Sequence, residues 1–141
     1  MDALNKEVEE KVDHVLKGVS ETLERYIREG QLSLDNAREL LEALEPSFGL
    51  LMKKWTLIIL YALLLAGPLS FNRLHELTRI NRRSLSVRLK ELEEKGFVQR
   101  VVKTEPPIST VYSLTEIGRD TALLMIPLIY YVARRVLPFE S

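Results

Sequence analysis

At Gly96 the apolar repeat of this 141-residue chain changes period. Before it, Leu85, Leu89 and Leu92 recur at four- and three-residue steps, the spacing of a single helix face. After it, Phe97-Val98-Gln99-Arg100-Val101-Val102-Lys103 and Thr110-Val111-Tyr112-Ser113-Leu114 are rich in β-branched and aromatic residues, the composition of strands. The link 104–109 holds Pro106-Pro107 and cannot be helical throughout, so the two runs form a β-hairpin. A helix that leads directly into a hairpin constrains everything placed before it.

The preceding segments are punctuated as clearly. Gly67-Pro68 breaks an apolar helix expected over 50–65, which is apolar nearly all round after Trp55 and therefore expected to be buried on most sides. Ser70 is placed to cap a short helix over 71–78, with Phe71, Leu74 and Leu77 facing inward. The turn Arg79-Ile80-Asn81 follows. Asn81 can then cap a helix over 82–95 that stops at Gly96, a natural residue just past a helix end. Helix, short helix, basic helix and hairpin in that order make a winged helix-turn-helix between residues 54 and 114.

The basic helix carries the functional signal. At about 100° per residue, the face opposite its leucines holds Arg83, Ser86, Val87 and Lys90. Its first turns are basic and its last turn is acidic, which runs against the helix macrodipole and suggests an outside, anionic partner. A helix-turn-helix presents the N-terminal residues of its second helix to base edges and phosphates, the position of Arg82, Arg83, Ser84, Ser86 and Val87. A solvated face with scattered arginines is the alternative.

Composition limits the other classes of chemistry. The 20 basic and 20 acidic residues balance, but unevenly along the chain: six against twelve through residue 50, then fourteen against eight. A basic module behind an acidic arm fits a nucleic-acid binder with its charge on one face, and equally an ordinary acidic helix pair. The absence of cysteine removes disulfides, cysteine-ligated zinc, thiolate nucleophiles and thiol sensing. His75-Glu76-Leu77-Thr78-Arg79 is half of a helical two-histidine zinc motif, with Arg79 where the second histidine belongs. No phosphate-binding glycine loop and no serine or threonine with an evident base accompany it, so neither an enzyme nor a metal or cofactor is expected. His75 is expected on the helix surface near a DNA backbone. The N-terminus lacks the pattern of a secretory signal, and the longest apolar run, 55–66, is short of the ~20 residues of a membrane helix. A soluble, cytoplasmic protein is expected, without a membrane partner.

The ends of the chain are helical. Val8, Val12, Val15, Val19, Leu23 and Tyr26 or Ile27 mark one face of a long amphipathic helix ending near Gly30. Its many valines lower its intrinsic helicity, so it depends on packing against its own domain, a second subunit or a foreign partner. Ser33 caps a second helix over 34–44, striped by Leu34, Ala37, Leu40, Leu41 and Leu44 and closed by Pro46. The last helix starts at Thr115-Glu116 and runs toward Leu137, with Pro127 expected to kink or split it. Its apolar residues exceed what one contact face requires, which argues for a dimer interface.

Four blocks carry a family resemblance: Lys54-Trp55-Thr56-Leu57-Ile58-Ile59-Leu60; Gly67-Pro68-Leu69-Ser70-Phe71-Asn72-Arg73-Leu74; the run from Leu85-Ser86-Val87-Arg88 to Lys95-Gly96-Phe97-Val98; and Tyr112-Ser113-Leu114-Thr115-Glu116-Ile117-Gly118-Arg119. In order and correctly spaced, they closely resemble the HxlR-type regulators, within the broader MarR-like winged-helix group, over residues 50 to 135. The resemblance implies a homodimer that binds operator DNA near promoters, with a recognition helix per subunit in the major groove, a wing beside it, and terminal helices forming the dimer. Four departures are visible. No cysteine precedes the Lys-Trp-Thr block, where many members sense oxidants or electrophiles. Val87 replaces a common glutamine, exchanging a possible adenine contact for one that could meet a thymine methyl. Pro106-Pro107 lead to Ile108-Ser109 rather than to a basic residue, leaving Arg100 and Lys103 to serve the wing, for phosphate contact rather than minor-groove insertion. Residues 1–45 form a longer leader than usual.

The expected molecule is mainly α with a small β-hairpin: a helical arm over 1–46 for dimerisation or partner binding, a winged helix-turn-helix core over 47–115, and a dimerisation helix over 116–141. Its expected role is that of a sequence-specific transcriptional regulator, a repressor by preference. The competing roles are a protein-interaction module of the transcription machinery and a non-specific architectural DNA binder. Arg83, Ser86, Val87 and Lys90 are assigned toward bases or nearby phosphates, with Ser84 beside them. Arg73, Arg82, Arg88, Arg100 and Lys103 are assigned toward the backbone. Arg82 and Arg88 lie closer to the buried stripe and could instead pair within the domain. Val12, Val19, Leu23, Leu124, Leu128, Tyr131 and Val132 are assigned to the dimer interface. The terminal helices could enclose a small-molecule effector between subunits.

Overall fold

A computed structural model describes residues 2–138. The chain forms α1 (Asp2–Arg28), α2 (Leu34–Leu51), α3 (Thr56–Ala66), β1 (Leu69–Ser70), α4 (Phe71–Thr78), α5 (Arg82–Glu94), β2 (Val98–Lys103), β3 (Ser109–Leu114) and α6 (Glu116–Val136). It divides into two compact units. One joins residues 1–44 to 124–141; the other is residues 45–123. Among the described residues no single helix is long and apolar enough to cross a membrane.

The 45–123 unit is the winged helix-turn-helix. Its sheet has three antiparallel strands in the order β1-β3-β2. The hairpin runs from Val98 opposite Leu114 to Lys103 opposite Ser109, and Leu69 and Ser70 add a short edge opposite Tyr112 and Val111. That edge strand is two residues long, too short to leave a periodic signature in sequence. Leu50, Leu51, Ile59, Leu60, Leu63, Leu74, Ile80, Leu85, Leu89, Leu92, Phe97, Val98 and Ala122 are buried in this unit.

Gly118 shows how tightly the hairpin is closed. The Thr115 hydroxyl donates to the Gly96 carbonyl (2.6 Å), the Thr115 amide donates to the Phe97 carbonyl (3.1 Å), and the Gly118 amide donates to the Thr115 hydroxyl (3.0 Å). A Cβ on Gly118 would collide with the Phe97 carbonyl, so only glycine lets the start of α6 lie against the chain leaving α5. Gly96 itself has φ +85°, the left-handed conformation that ends a helix.

Three local expectations are corrected. Pro46 does not close the second helix; α2 continues through it to Leu51. A proline deprives one carbonyl four residues back of its partner, here that of Glu42, an exposed residue where water can serve. The helix breaks instead after Leu51. Trp55 adopts φ +79°, which no right-handed helix accommodates, while the buried Thr56 hydroxyl donates to the Leu50 carbonyl at 2.8 Å. Next, α3 is not buried on most sides, since Leu57, Ile58 and Leu65 are exposed opposite Ile59, Leu60 and Leu63. Finally, Leu77 is exposed and Thr78 takes the inward place on α4, its hydroxyl bonded to the Leu74 carbonyl at 2.7 Å.

The other unit contains α1, the first part of α2 and the second part of α6. Ser33 and Asn36 cap each other at the start of α2, the Ser33 amide donating to Asn36 Oδ1 (3.0 Å) and the Asn36 amide to Ser33 Oγ (3.3 Å). Glu9 of α1 receives both Arg134 and Arg135 of α6, at 3.4 and 3.1 Å. Pro127 does not split α6, which is continuous from Glu116 to Val136. Among the described residues only Val12 and Met125 are buried apolar side chains in this unit, and residues 13–30 are exposed without exception.

Candidate nucleic-acid interface

The recognition surface begins with the turn that aims α5. Ser70 caps α4 by accepting from the Arg73 amide (3.1 Å), and Asn81 caps α5 by accepting from the Ser84 amide (2.8 Å). Both caps follow the side-chain pattern expected of Ser and Asn, which satisfy amides that the first helical turn leaves unpaired. Between them Arg79 takes φ +61° and Ile80 is fully buried. The Thr78 hydroxyl accepts from the Ile80 amide (3.4 Å), and His75 Nδ1 meets the Ile80 carbonyl at 2.7 Å. A carbonyl can only accept, so Nδ1 is the donor in this contact. His75 is therefore half-buried and fixes the turn, rather than lying free on the helix surface.

With Leu85, Leu89 and Leu92 fully or almost fully buried, Arg83, Ser86, Val87 and Lys90 emerge on the exposed side of α5. Among the described residues these four side chains have no hydrogen bond or ion pair. Ser84 is half-buried at the edge of this face. Two cations, neither of them in an ion pair, thus flank a valine and a serine.

The remaining cations are held to different degrees. Arg88 turns inward: its side chain is 14% exposed, its Nε donates to the Lys54 carbonyl (3.2 Å), and its terminal nitrogen meets Glu91 at 2.6 Å. It braces α5 and is withdrawn from the DNA-facing set. The other Glu91 oxygen accepts from Lys53 at 2.9 Å. The Lys53 hydrogen bond is the main reason the Glu91 carboxyl is held below its usual range, with the charges of Arg88 and Lys53 adding to it against the opposing effect of burial. Arg82 donates to Asn72 Oδ1 (2.8 Å) and lies 5.9 Å from the Phe71 ring centre, linking the starts of α5 and α4. Its guanidinium retains further donors.

Arg73 pairs with Glu76 (3.1 Å) in an exposed i,i+3 pair, and Arg100 stands 3.8 Å from Glu93. Both pairs are weak in water and leave the cations accessible. Lys103 is exposed at the end of the hairpin ladder, beyond which Ile108 projects into solvent. Asn72, Lys53 and Lys54 join this surface without a sequence pattern that marks them. The only local cue for Asn72 is its place two residues after the Ser70 cap, while Lys53 and Lys54 act through pairings distant in the chain.

Residues 50–137 match the family model described as HxlR-like helix-turn-helix. The chain belongs to the HxlR-like family. Among curated relatives, the HTH-type transcriptional regulator YodB of Bacillus subtilis is 40% identical over 76 residues, covering 53% of this chain and 67% of YodB. The regulator YvaP of the same organism is 36% identical over 91 residues, covering 64% and 83%. The structure of the reduced form of YodB from B. subtilis superposes with a TM-score of 0.62 and 31% identity, over 70% of this chain and 96% of that one. The chain is thus an HxlR-like, winged helix-turn-helix, sequence-specific DNA-binding transcriptional regulator. The HxlR match begins at residue 50, so α1 and nearly all of α2 lie outside it.

Proposed function

We propose that the chain acts as a homodimeric repressor, each subunit laying α5 in the major groove of one half of an operator. The outer face of α5 carries this reading: Arg83, Ser86, Val87 and Lys90 are exposed and unpaired, while the inward cation Arg88 is bound. In this role Arg83 and Lys90 meet bases or adjoining phosphates, Arg73 and Arg82 meet the backbone at the start of α4, and Arg100 and Lys103 meet phosphates beside the wing. The wing tip offers Lys103, Glu105 and the apolar Ile108, a set suited to backbone contact rather than insertion into a minor groove.

Support for the dimer comes from the unit of residues 1–44 and 124–141. Val19 and Leu23 on α1 and Leu128 and Val132 on α6 are exposed, and Leu124 is 76% exposed. Tyr131 is half-buried, with the Arg135 guanidinium 3.6 Å from its ring centre. Val12, already buried within its own chain, is withdrawn from the interface set. Helices this apolar on an open face mark an association surface. An isologous dimer would cover the same stripe on both copies and place two α5 helices on a two-fold symmetric site.

Fluorescence anisotropy with the protein's own upstream region and a shuffled duplex of equal length tests the function. Selective binding that survives near-physiological salt is expected, because phosphate neutralisation alone weakens steeply with salt. Equal weak binding to both duplexes would instead favour an architectural role.

A further inference from the structure

We propose that Val87 reads the C5-methyl group of a thymine in each operator half-site, an inference that rests on α5 being the recognition helix. On a helix, residues 83, 87 and 90 fall within a narrow arc of about 60°, and here that arc lies opposite the buried Leu85, Leu89 and Leu92. Val87 is the only apolar side chain on it, 51% exposed, with Arg83 one turn before it and Lys90 one turn after. A branched valine has lower helix propensity than alanine or a straight-chain residue, so local helix stability does not favour it at this site.

Its chemistry narrows what it can recognise. Valine has neither donor nor acceptor, and the one apolar group that a base presents in the major groove is the thymine methyl. Arg83 and Lys90, both cationic, would anchor the helix on either side and press the valine toward the groove floor. Four residues along a helix rise about 6 Å, close to two steps of B-DNA at about 3.4 Å each. The thymine is therefore expected about two base pairs from the base or phosphate met by Arg83. 5-Methylcytosine presents the same methyl and should be accepted where cytosine is not.

The test uses full-length protein and duplexes enriched by it from a random library, rebuilt with each thymine in turn replaced by deoxyuridine. That exchange removes one methyl and leaves all base-pairing groups in place. At one thymine per half-site affinity should fall about three- to fivefold, the effect of one buried methyl group, and the same exchange should cost Val87→Ala less, because its shorter side chain covers less of the methyl. Thermal unfolding should show Val87→Ala as stable as the wild type, since the side chain is exposed. Placing 5-methylcytosine there should bind more tightly than cytosine. If no deoxyuridine position distinguishes the wild type from Val87→Ala, the inference is overturned. An equal loss by Val87→Ala on enriched and scrambled duplexes also overturns it, making Val87 a backbone contact. Failure of the library to enrich any sequence would remove the recognition-helix reading itself, and this inference with it.

Discussion

The two units of this chain solve the problem of burial in opposite ways. Among the described residues, 45–123 hold thirteen of the fifteen buried apolar side chains, while the unit of residues 1–44 and 124–141 holds two. In the first unit the caps, the α4–α5 turn and the Thr115–Gly118 closure satisfy their polar groups within one chain. In the second, residues 13–30 of the chain are exposed throughout, although Val15, Leu16, Val19, Leu23 and Ile27 are apolar. A helix with so little covered apolar surface gains its stability elsewhere, since in proteins most helical stability comes from packing an apolar face. The DNA-binding half buries its own apolar core; the other half leaves its apolar face exposed, and a second copy is the partner proposed here to cover it.

The strongest way to break that contrast is to charge the α6 stripe. Leu124→Asp combined with Leu128→Asp should convert the dimer to a monomer on light scattering and lower operator affinity about a hundredfold or more, because two linked half-site contacts become independent. The fold of the 45–123 unit should survive, with its circular dichroism largely retained. Truncation inside that unit should behave oppositely. Leu89→Ala should destabilise by about 2–5 kcal/mol in urea unfolding, whereas Val19→Ala should affect only dimerisation.

Smaller effects sharpen the description of the DNA-binding half. Gly118→Ala should destabilise by about 1–3 kcal/mol, as overpacking against backbone does, and loosen the hairpin as seen by amide exchange in β2 and β3. Arg83→Ala should weaken operator binding by about 1–3 kcal/mol and relax specificity at one position if its contact is to guanine. Equal losses on every sequence would make that contact a phosphate. The smallest change belongs to Glu91→Gln, about 1 kcal/mol or less, since Lys53 and Glu91 are partly exposed. Its pH dependence has a definite sign. A carboxyl held below its ordinary value in the fold adds stability above that ordinary value and loses it as pH falls through the depressed one. The urea midpoints of wild type and Glu91→Gln should therefore differ at neutral pH and converge in acid.

What could be read from sequence was local. Asn81, Ser70, Ser33 and Gly96 declared helix ends through chemistry confined to three or four neighbours, and the leucines of α5 declared its buried face. The misreadings have physical causes of equal clarity. Pro46 signalled an end that an exposed carbonyl made unnecessary, while the true break depends on Trp55 and on a hydroxyl reaching back six residues to Leu50. For Arg88 the sequence left a backbone contact and a pairing within the domain both open; the i,i+3 pair with Glu91 is local, but the bond to the Lys54 carbonyl that turns the side chain inward spans 34 residues, a distance no periodicity records. The two-residue β1 exists only through its partner β3. On the candidate site, the exposed arc of Arg83, Ser86, Val87 and Lys90 was legible because it is the complement of a leucine stripe. The roles of Asn72 and His75 were not, since each depends on a tertiary or turn contact.

The most direct measurement is the mass of the full chain in solution by multi-angle light scattering at micromolar concentration. The expected result is twice the 16.3 kDa of one chain, falling to the single-chain mass in the Leu124→Asp, Leu128→Asp variant. A wild-type chain that stays at 16.3 kDa would contradict the claim that a second copy covers the apolar face of residues 1–44 and 124–141.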